Sequence, residues 1–422
     1  MRKISKLSLV AAVAVSGLSF ANAQPLEEAI KNVDVSGSVV YRYDNFGGGD
    51  NLRDSRTDAN RYKIGLNLSS KVNDYVKFNS RFIVGSQANG GFASLDAKKD
   101  TGTDGQADVS LSNAYFGFTA IPNTVVNVGK QGLATPYTVA VDINGNEQTG
   151  TGILALTNFS VVTLGAGYFN NTNLGNSTEL NSGLALGVGQ GGLAGGADMY
   201  VATAQADLDF VKLEAWYAGM QDTFNSYTLA ATSNIDLAEN AKIGLEARWV
   251  YLGWENEAKD TVATAYNRAF DYLKDVNPGF TGADIDKKNS MFRLAVDGKF
   301  SIVNARVAYT KTDKNGGITA LDQDAKNTSL GWGITSNAVA DADYWQAALG
   351  ADILDNLNFT VHYGNIKGFD GDYKANETYG QLTYKMSKNL NTYLRYGTLE
   401  QKVDGDKILD QNRGRIQVAY TF

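Results

Sequence analysis

The sequence contains no cysteine, four prolines and a single histidine in 422 residues. Without cysteine there is no disulfide framework, no thiolate metal site and no thiol nucleophile. With His362 as the only imidazole, a histidine cluster is excluded and most acid–base chemistry loses its usual side chain. A long apolar run is also missing beyond the extreme N-terminus, and the mean hydropathy is −0.25. A helical membrane protein would need a run of roughly 20 mostly apolar residues for each span. Positive charge is in deficit as well: 38 basic residues stand against 45 acidic ones, for a net charge of −7 and a pI near 5.0. Such a chain lacks the basic footprint that nucleic acid requires, so no nucleic-acid partner is expected.

What the sequence does have is 45 glycines and 45 aromatic residues, half of the latter being tyrosine. The chain opens on Arg2, Lys3 and Lys6, continues with an apolar stretch from Leu7 to Phe20, and reaches Ala21-Asn22-Ala23. A basic start, a short apolar stretch and small residues at an A-x-A site predict a secretory signal peptide over 1–23, cleaved near Ala23. Cleavage would remove three basic residues and no acid, leaving 35 basic against 45 acidic, a net charge of −10. The expected product is an exported chain, 24–422, forming one domain.

From residue 33 onward, apolar and polar residues alternate with period 2. Val33, Val35, Val39, Tyr41 and Tyr43 share one parity, while Asp34, Ser36, Ser38, Arg42 and Asp44 share the other. The pattern returns in 62–68, 76–82, 243–249, 292–296, 303–309, 357–363 and 416–422. Such alternation makes strands with one apolar and one polar face.

The connections are asymmetric. Short ones, such as those around Pro122, Asn240 and Asn356, take turns with long polar ones at 45–58, 89–107, 131–150, 171–197, 255–288 and 314–342. About eighteen strands follow from this layout. An all-β transmembrane antiparallel barrel, with short periplasmic turns and long external loops, accounts for it better than a soluble sandwich or propeller. Aromatic residues near strand ends suit interfacial girdles, and closure leaves no unpaired edge in lipid. The final residues Ile416, Val418, Tyr420 and Phe422 hold one parity to the carboxylate, like the assembly signal of bacterial outer-membrane proteins. The expected location is the outer membrane, among lipid and lipopolysaccharide.

In a barrel the polar parity faces the lumen. Arg42, Arg61, Lys63, Lys77 and Arg81 on the first strands, with Arg395, Arg413 and Arg415 on the last two, would form one basic arc where the sheet closes. The third long loop, 131–150, carries Asp142 and Glu147 and no basic residue. Because the third loop of many porins folds inward, Asp142 and Glu147 are expected to face the arc across a constriction and filter solutes by size and charge. Aspartates spaced by one residue recur in the loops (284/286, 322/324, 341/343, 370/372, 404/406), yet none completes a calcium-loop pattern. His362 lies between Val361 and Tyr363 on the lumen parity and reads as pore lining rather than as a general base. Gly187–Gly192 lacks the lysine and helix of a phosphate loop. About ten residues between the cleavage site and the first strand leave no room for a folded plug. An enzyme is therefore not expected.

Residues 25–37, Pro-Leu-Glu-Glu-Ala-Ile-Lys-Asn-Val-Asp-Val-Ser-Gly, followed by Tyr41-Arg42-Tyr43-Asp44, resemble the start of the campylobacter-type major outer membrane porins. Gly129-Lys130-Gln131 and the aromatic C-terminus fit as well. The resemblance implies an eighteen-stranded trimeric general porin, a constriction made by the third loop, a preference for cations and a calcium ion near the constriction. Asp142 is the one residue on which a calcium ligand is placed by local context. Proteins of this kind are also surface antigens. The expected function is a passive channel for small hydrophilic solutes and ions, with a surface adhesin or structural protein as the alternative.

Overall fold

The computed structural model describes residues 33–48, 57–86, 90–96, 108–178, 196–255, 258–263, 287–314 and 316–422. The signal peptide, the opening of the family-like segment, Pro25, Gly187–Gly192, Pro278 and the 284/286 aspartate pair lie outside these residues.

One antiparallel sheet is built from β1 (Val33–Gly47), β2 (Thr57–Asn73), β3 (Val76–Gly85), β4 (Ala93–Ser94), β5 (Asp108–Phe118), β6 (Thr124–Gly132), β7 (Thr149–Phe159), β8 (Val162–Thr172), β9 (Met199–Leu208) and β10 (Val211–Met220). It continues through β11 (Phe224–Ala238), β12 (Ala241–Trp254), β13 (Lys288–Phe300), β14 (Val303–Thr312), β15 (Asp343–Leu354), β16 (Leu357–Gly368), β17 (Tyr373–Lys385), β18 (Leu390–Val403) and β19 (Asp406–Thr421). The two-residue β4 extends the place of β3 beside β2, pairing Arg61 with Ser94. The remaining eighteen strands, 9 to 17 residues long, each pair with both chain neighbours.

β1 and β19 close the barrel in the register Val39↔Tyr420, Tyr41↔Val418 and Tyr43↔Ile416. The C-terminal residue completes the seam: Gly37 N–H donates to Phe422 O at 2.9 Å and Phe422 N–H returns to Gly37 O at 3.1 Å. A Cβ at Gly37 would stand 2.7 Å from the Phe422 ring, so glycine is what lets the terminal aromatic settle there.

The apolar parity faces outward. Val35, Phe82, Leu229, Trp249, Phe292, Trp345, Leu349 and Tyr396 are all exposed, which is the inside-out pattern that lipid requires. Toward the rim with the longer loops, aromatic rings follow one another across adjacent strands. Tyr168 meets Tyr200 at 5.4 Å, Tyr217 meets Tyr227 at 5.4 Å, and Tyr227 meets Tyr251 at 6.2 Å. These rings form the girdle expected at a membrane interface.

Short turns occupy the rim with the chain ends, at 74–75, 119–123, 160–161, 209–210, 239–240, 301–302, 355–356 and 386–389. The sequence signal misses the turns at 160–161, 209–210 and 301–302, where Ser160, Asp209 and Ser301 take positive φ in tight two-residue connections that carry no proline or glycine. The opposite rim is not uniformly long either: 221–223, 369–372 and 404–405 are short links there.

The apolar core lies inside the barrel, under the loops. Leu133 and Tyr137 of the third loop, Leu174 of the short helix Leu174–Ser177, Ala258 and Val262, and Ile318, Leu321 and Ile334 of the seventh loop pack on inward-facing Phe169, Met199, Val250, Leu252 and Met291. The inner wall beneath these loops thus carries apolar patches beside its polar and charged residues.

Candidate functional site: a constriction made by two inward-folded loops

The third loop, 133–148, turns back into the barrel as a tight hairpin. Val141 bridges Glu147, Asp142 N–H donates to Asn146 O at 3.0 Å, and Gly145 turns the tip at φ +80°. That conformation suits glycine, and a Cβ there would also press on Phe92 and Lys63.

Glu147 fixes this hairpin to the wall. Its carboxylate is 3% exposed and accepts from Arg81 Nε and Nη2, both at 2.9 Å, from Ser112 Oγ at 2.8 Å, and from Lys63 Nζ. Lys63 Nζ also donates to Gly145 O, so one side chain holds both the acid and the backbone of the tip. A carboxylate satisfied by a two-pronged arginine, a lysine and a hydroxyl carries no free charge into the lumen. The expectation that Glu147 faces the basic arc across an opening is thus corrected: it touches the arc. The period-2 pattern places Lys63 and Arg81 on the lumen face, but loop reach decides that they are neutralised.

Asp142 differs from expectation in the same direction. Its two carboxylate oxygens accept from Asn146 N–H at 2.7 Å and Asn146 Nδ2 at 2.6 Å, which braces the hairpin tip. Among the described residues no three acidic or imidazole side chains come together as a metal site.

The rest of the arc is divided. Arg415 and Arg61 both pair with Asp44, the latter at 2.9 Å. Lys77 sits at the turn rim, 3.5 Å from exposed Asp34, and takes no part in the constriction. Arg42 donates to Gln417 Oε1 at 2.8 Å and to Ile143 O of the hairpin tip at 2.9 Å, with its guanidinium 4.1 Å over the Phe92 ring. Arg395 binds Gln381 Oε1 at 2.8 Å and lies 4.9 Å from the Tyr379 ring centre. Arg413 lies 4.5 Å from the Phe46 ring, and its Nε and Nη1 are buried without an acceptor among the described residues.

The seventh loop, 313–342, is the element that sequence reasoning missed. It is folded inward like the third loop, with Ile318, Thr319, Leu321, Asp322, Asn327, Ser336 and Ala342 all fully buried. Its composition carries the signal: Ile318, Leu321, Leu330, Trp332, Ile334 and Val339 are too apolar for a solvated loop. The two loops bond to each other. Leu321 N–H donates to Tyr137 O at 3.0 Å, Asn327 N–H to Pro136 O at 3.0 Å, Ile143 N–H to Asp324 Oδ2 at 2.8 Å, and Gln148 Nε2 to Asp322.

Two anchors hold the seventh loop to the wall. On β13, Arg293 donates to Lys326 O at 2.9 Å and Thr328 O while pairing with Glu246 at 2.6 Å. On β17, Glu377 accepts from the N–H groups of Trp332 at 2.8 Å and Gly333 at 2.7 Å. Gly331 and Gly333 make that approach feasible: a Cβ would stand 1.6 Å from Glu377 Oε1 at the first and 2.0 Å from Arg413 Nη1 at the second. His362 stacks on Tyr379 at 4.5 Å with the rings 13° apart, a lumen-side packing role.

Comparison with known proteins agrees with this geometry. The family described as Campylobacter major outer membrane protein matches residues 1–422, the whole chain. No curated protein sequence matches. Among solved structures, OpdG of Pseudomonas aeruginosa is similar with a TM-score of 0.70 at 14% identity, covering 93% of this chain and 99% of its own. OpdF of the same organism, solved in complex with glucuronate, gives 0.67 at 14% identity over 92% and 98%. The outer membrane protein OprD, also from that organism, gives 0.62 at 17% identity over 92% and 93%. At these identities the solved structures speak to the fold alone.

Proposed function

We propose, from the premise that this chain belongs to the Campylobacter major outer membrane protein family, that it forms a water-filled diffusion channel for small hydrophilic solutes and ions. The observation that carries the reading is the pair of inward-folded loops, bonded to each other and ion-paired to the lumen wall. Such an arrangement narrows a barrel without filling it with a separate domain, and it sets a size limit from rigid side chains. Porin-type family membership and a lipid-compatible barrel support an outer-membrane channel rather than an enzyme.

Cation preference is the finer proposal. A net charge of −10 after signal-peptide removal would draw cations to the mouths. The arginine arc opposes this less than its residue count suggests, because Asp44 and Glu147 pair with Arg61, Arg415, Lys63 and Arg81. A homotrimer is proposed on the family resemblance and on an outward hollow of small residues, Ala204, Ala206, Ala215, Ala231 and Ala247, edged by Trp249 and Phe292. Lipid and lipopolysaccharide would surround the remaining outer face.

Purified protein reconstituted into planar bilayers tests the reading. Stable ohmic steps with a reversal potential of cationic sign in a KCl gradient are expected. Folded oligomers that carry no current would refute the channel.

A further inference from the structure

Trp332 occupies an unusual place at the tip of the seventh loop. It is 9% exposed, and its ring centre lies 5.1, 4.9 and 5.9 Å from the guanidinium carbons of Arg395, Arg413 and Arg415. Phe46 meets it edge-on at 6.0 Å and Tyr379 at 5.5 Å. Arg395 and Arg415 are directly opposite across the β18–β19 ladder, and Arg413 stands two residues along. Like charges so placed repel; Asp44 forms its ion pair with Arg415, while the Glu377 carboxylate acts on Arg395 and Arg413 from farther off.

What packs directly on the guanidinium faces of the other two is aromatic surface. The face of an indole is the most negative of the natural rings, and it attracts a cation most when both are desolvated. The backbone beside the ring is fixed by Glu377, so the indole is held in position rather than merely near it.

We propose that Trp332 is a selectivity-determining residue: its ring covers one face of the half-buried Arg395 and Arg413, limiting the contact of two guanidinium charges with pore water. This inference rests on the diffusion-channel reading and deepens it. An arginine-lined wall would ordinarily favour anions, and the cap is what lets mouth charge set the preference. A permeating solute then meets guanidinium groups partly covered by indole where the sequence alone would place bare arginine. The role belongs to the ring and to the charge beneath it together, which makes it separable from a structural role of the loop.

The test is the K+ to Cl− permeability ratio, from reversal potentials of the full-length protein in planar bilayers. Trp332→Ala is expected to lower the ratio by about twofold or more, as uncovered charge strengthens the local field seen by anions. Trp332→Phe, which keeps a ring face, is expected to stay close to the wild type. The double variant Trp332→Ala/Arg413→Gln is expected to recover most of the lost preference. An unchanged ratio in Trp332→Ala overturns the proposal. So does a loss that Trp332→Phe shares in full, or one that Arg413→Gln does not relieve, since both would mark simple loosening of the loop. Absence of current in the wild type would instead overturn the channel reading itself.

Discussion

Glu147 and Arg81 form a two-pronged ion pair across 66 residues of sequence, Nε to Oε2 and Nη2 to Oε1, each at 2.9 Å. The pair ties a loop hairpin to the third strand of the barrel, with Lys63 closing the other side of the same carboxylate. Removing the acid leaves two cations side by side without their ion-pair partner.

Glu147→Ala is accordingly expected to loosen the third loop by about 3–5 kcal/mol, the usual cost of breaking a buried pair from one side. The barrel ladder does not depend on that pair. Single-channel conductance should rise and become noisier, while heat-modifiable migration on gels stays that of a folded barrel. Conductance identical to the wild type would remove the hairpin from the constriction.

Glu377→Ala tests the seventh loop independently. It deletes the acceptor for two backbone N–H groups, each worth roughly 1.5–3 kcal/mol when the acceptor is charged. The expected result is faster cleavage of the folded protein by a soluble protease within 313–342 and a larger conductance. Unaltered protease resistance would show that Arg293 and the third loop hold the segment unaided.

Calcium at Asp142, which the family resemblance implies, is tested by chelation. Asp142 accepts two hydrogen bonds from Asn146 at the hairpin tip, and a carboxylate so held can still give an oxygen to a cation. If it does, EGTA lowers the oligomer melting temperature relative to millimolar calcium, and Asp142→Ala removes that difference. Equal melting with and without the chelator refutes the calcium ligand.

His362→Ala should leave a folded, conducting channel. The imidazole stacks on Tyr379, and losing one ring contact costs on the order of 1 kcal/mol. Thermal unfolding and conductance of the variant check this. Loss of a hydrolytic activity together with preserved conductance would reopen the enzyme reading.

The alternation from Val33 to Phe422 determined the strands by itself, and the short turns on one side, long loops on the other and aromatic strand ends pointed from strands to a membrane barrel. It also fixed which side chains look into the lumen: Arg42, Lys63, Arg81, Arg395, Arg413 and Arg415 all lie on the inner face. What it could not determine is their state. Whether a lumen arginine is a free charge depends on what a loop, distant in sequence, lays upon it. Glu147 reaches Lys63 and Arg81 from the third loop, and Trp332 reaches Arg395 and Arg413 from the seventh. Those contacts are decided by loop packing inside the closed wall, where apolar residues such as Ile318 and Leu321 gain burial that no open strand could offer. Sequence periodicity set the wall, while tertiary closure set the charge that a solute meets.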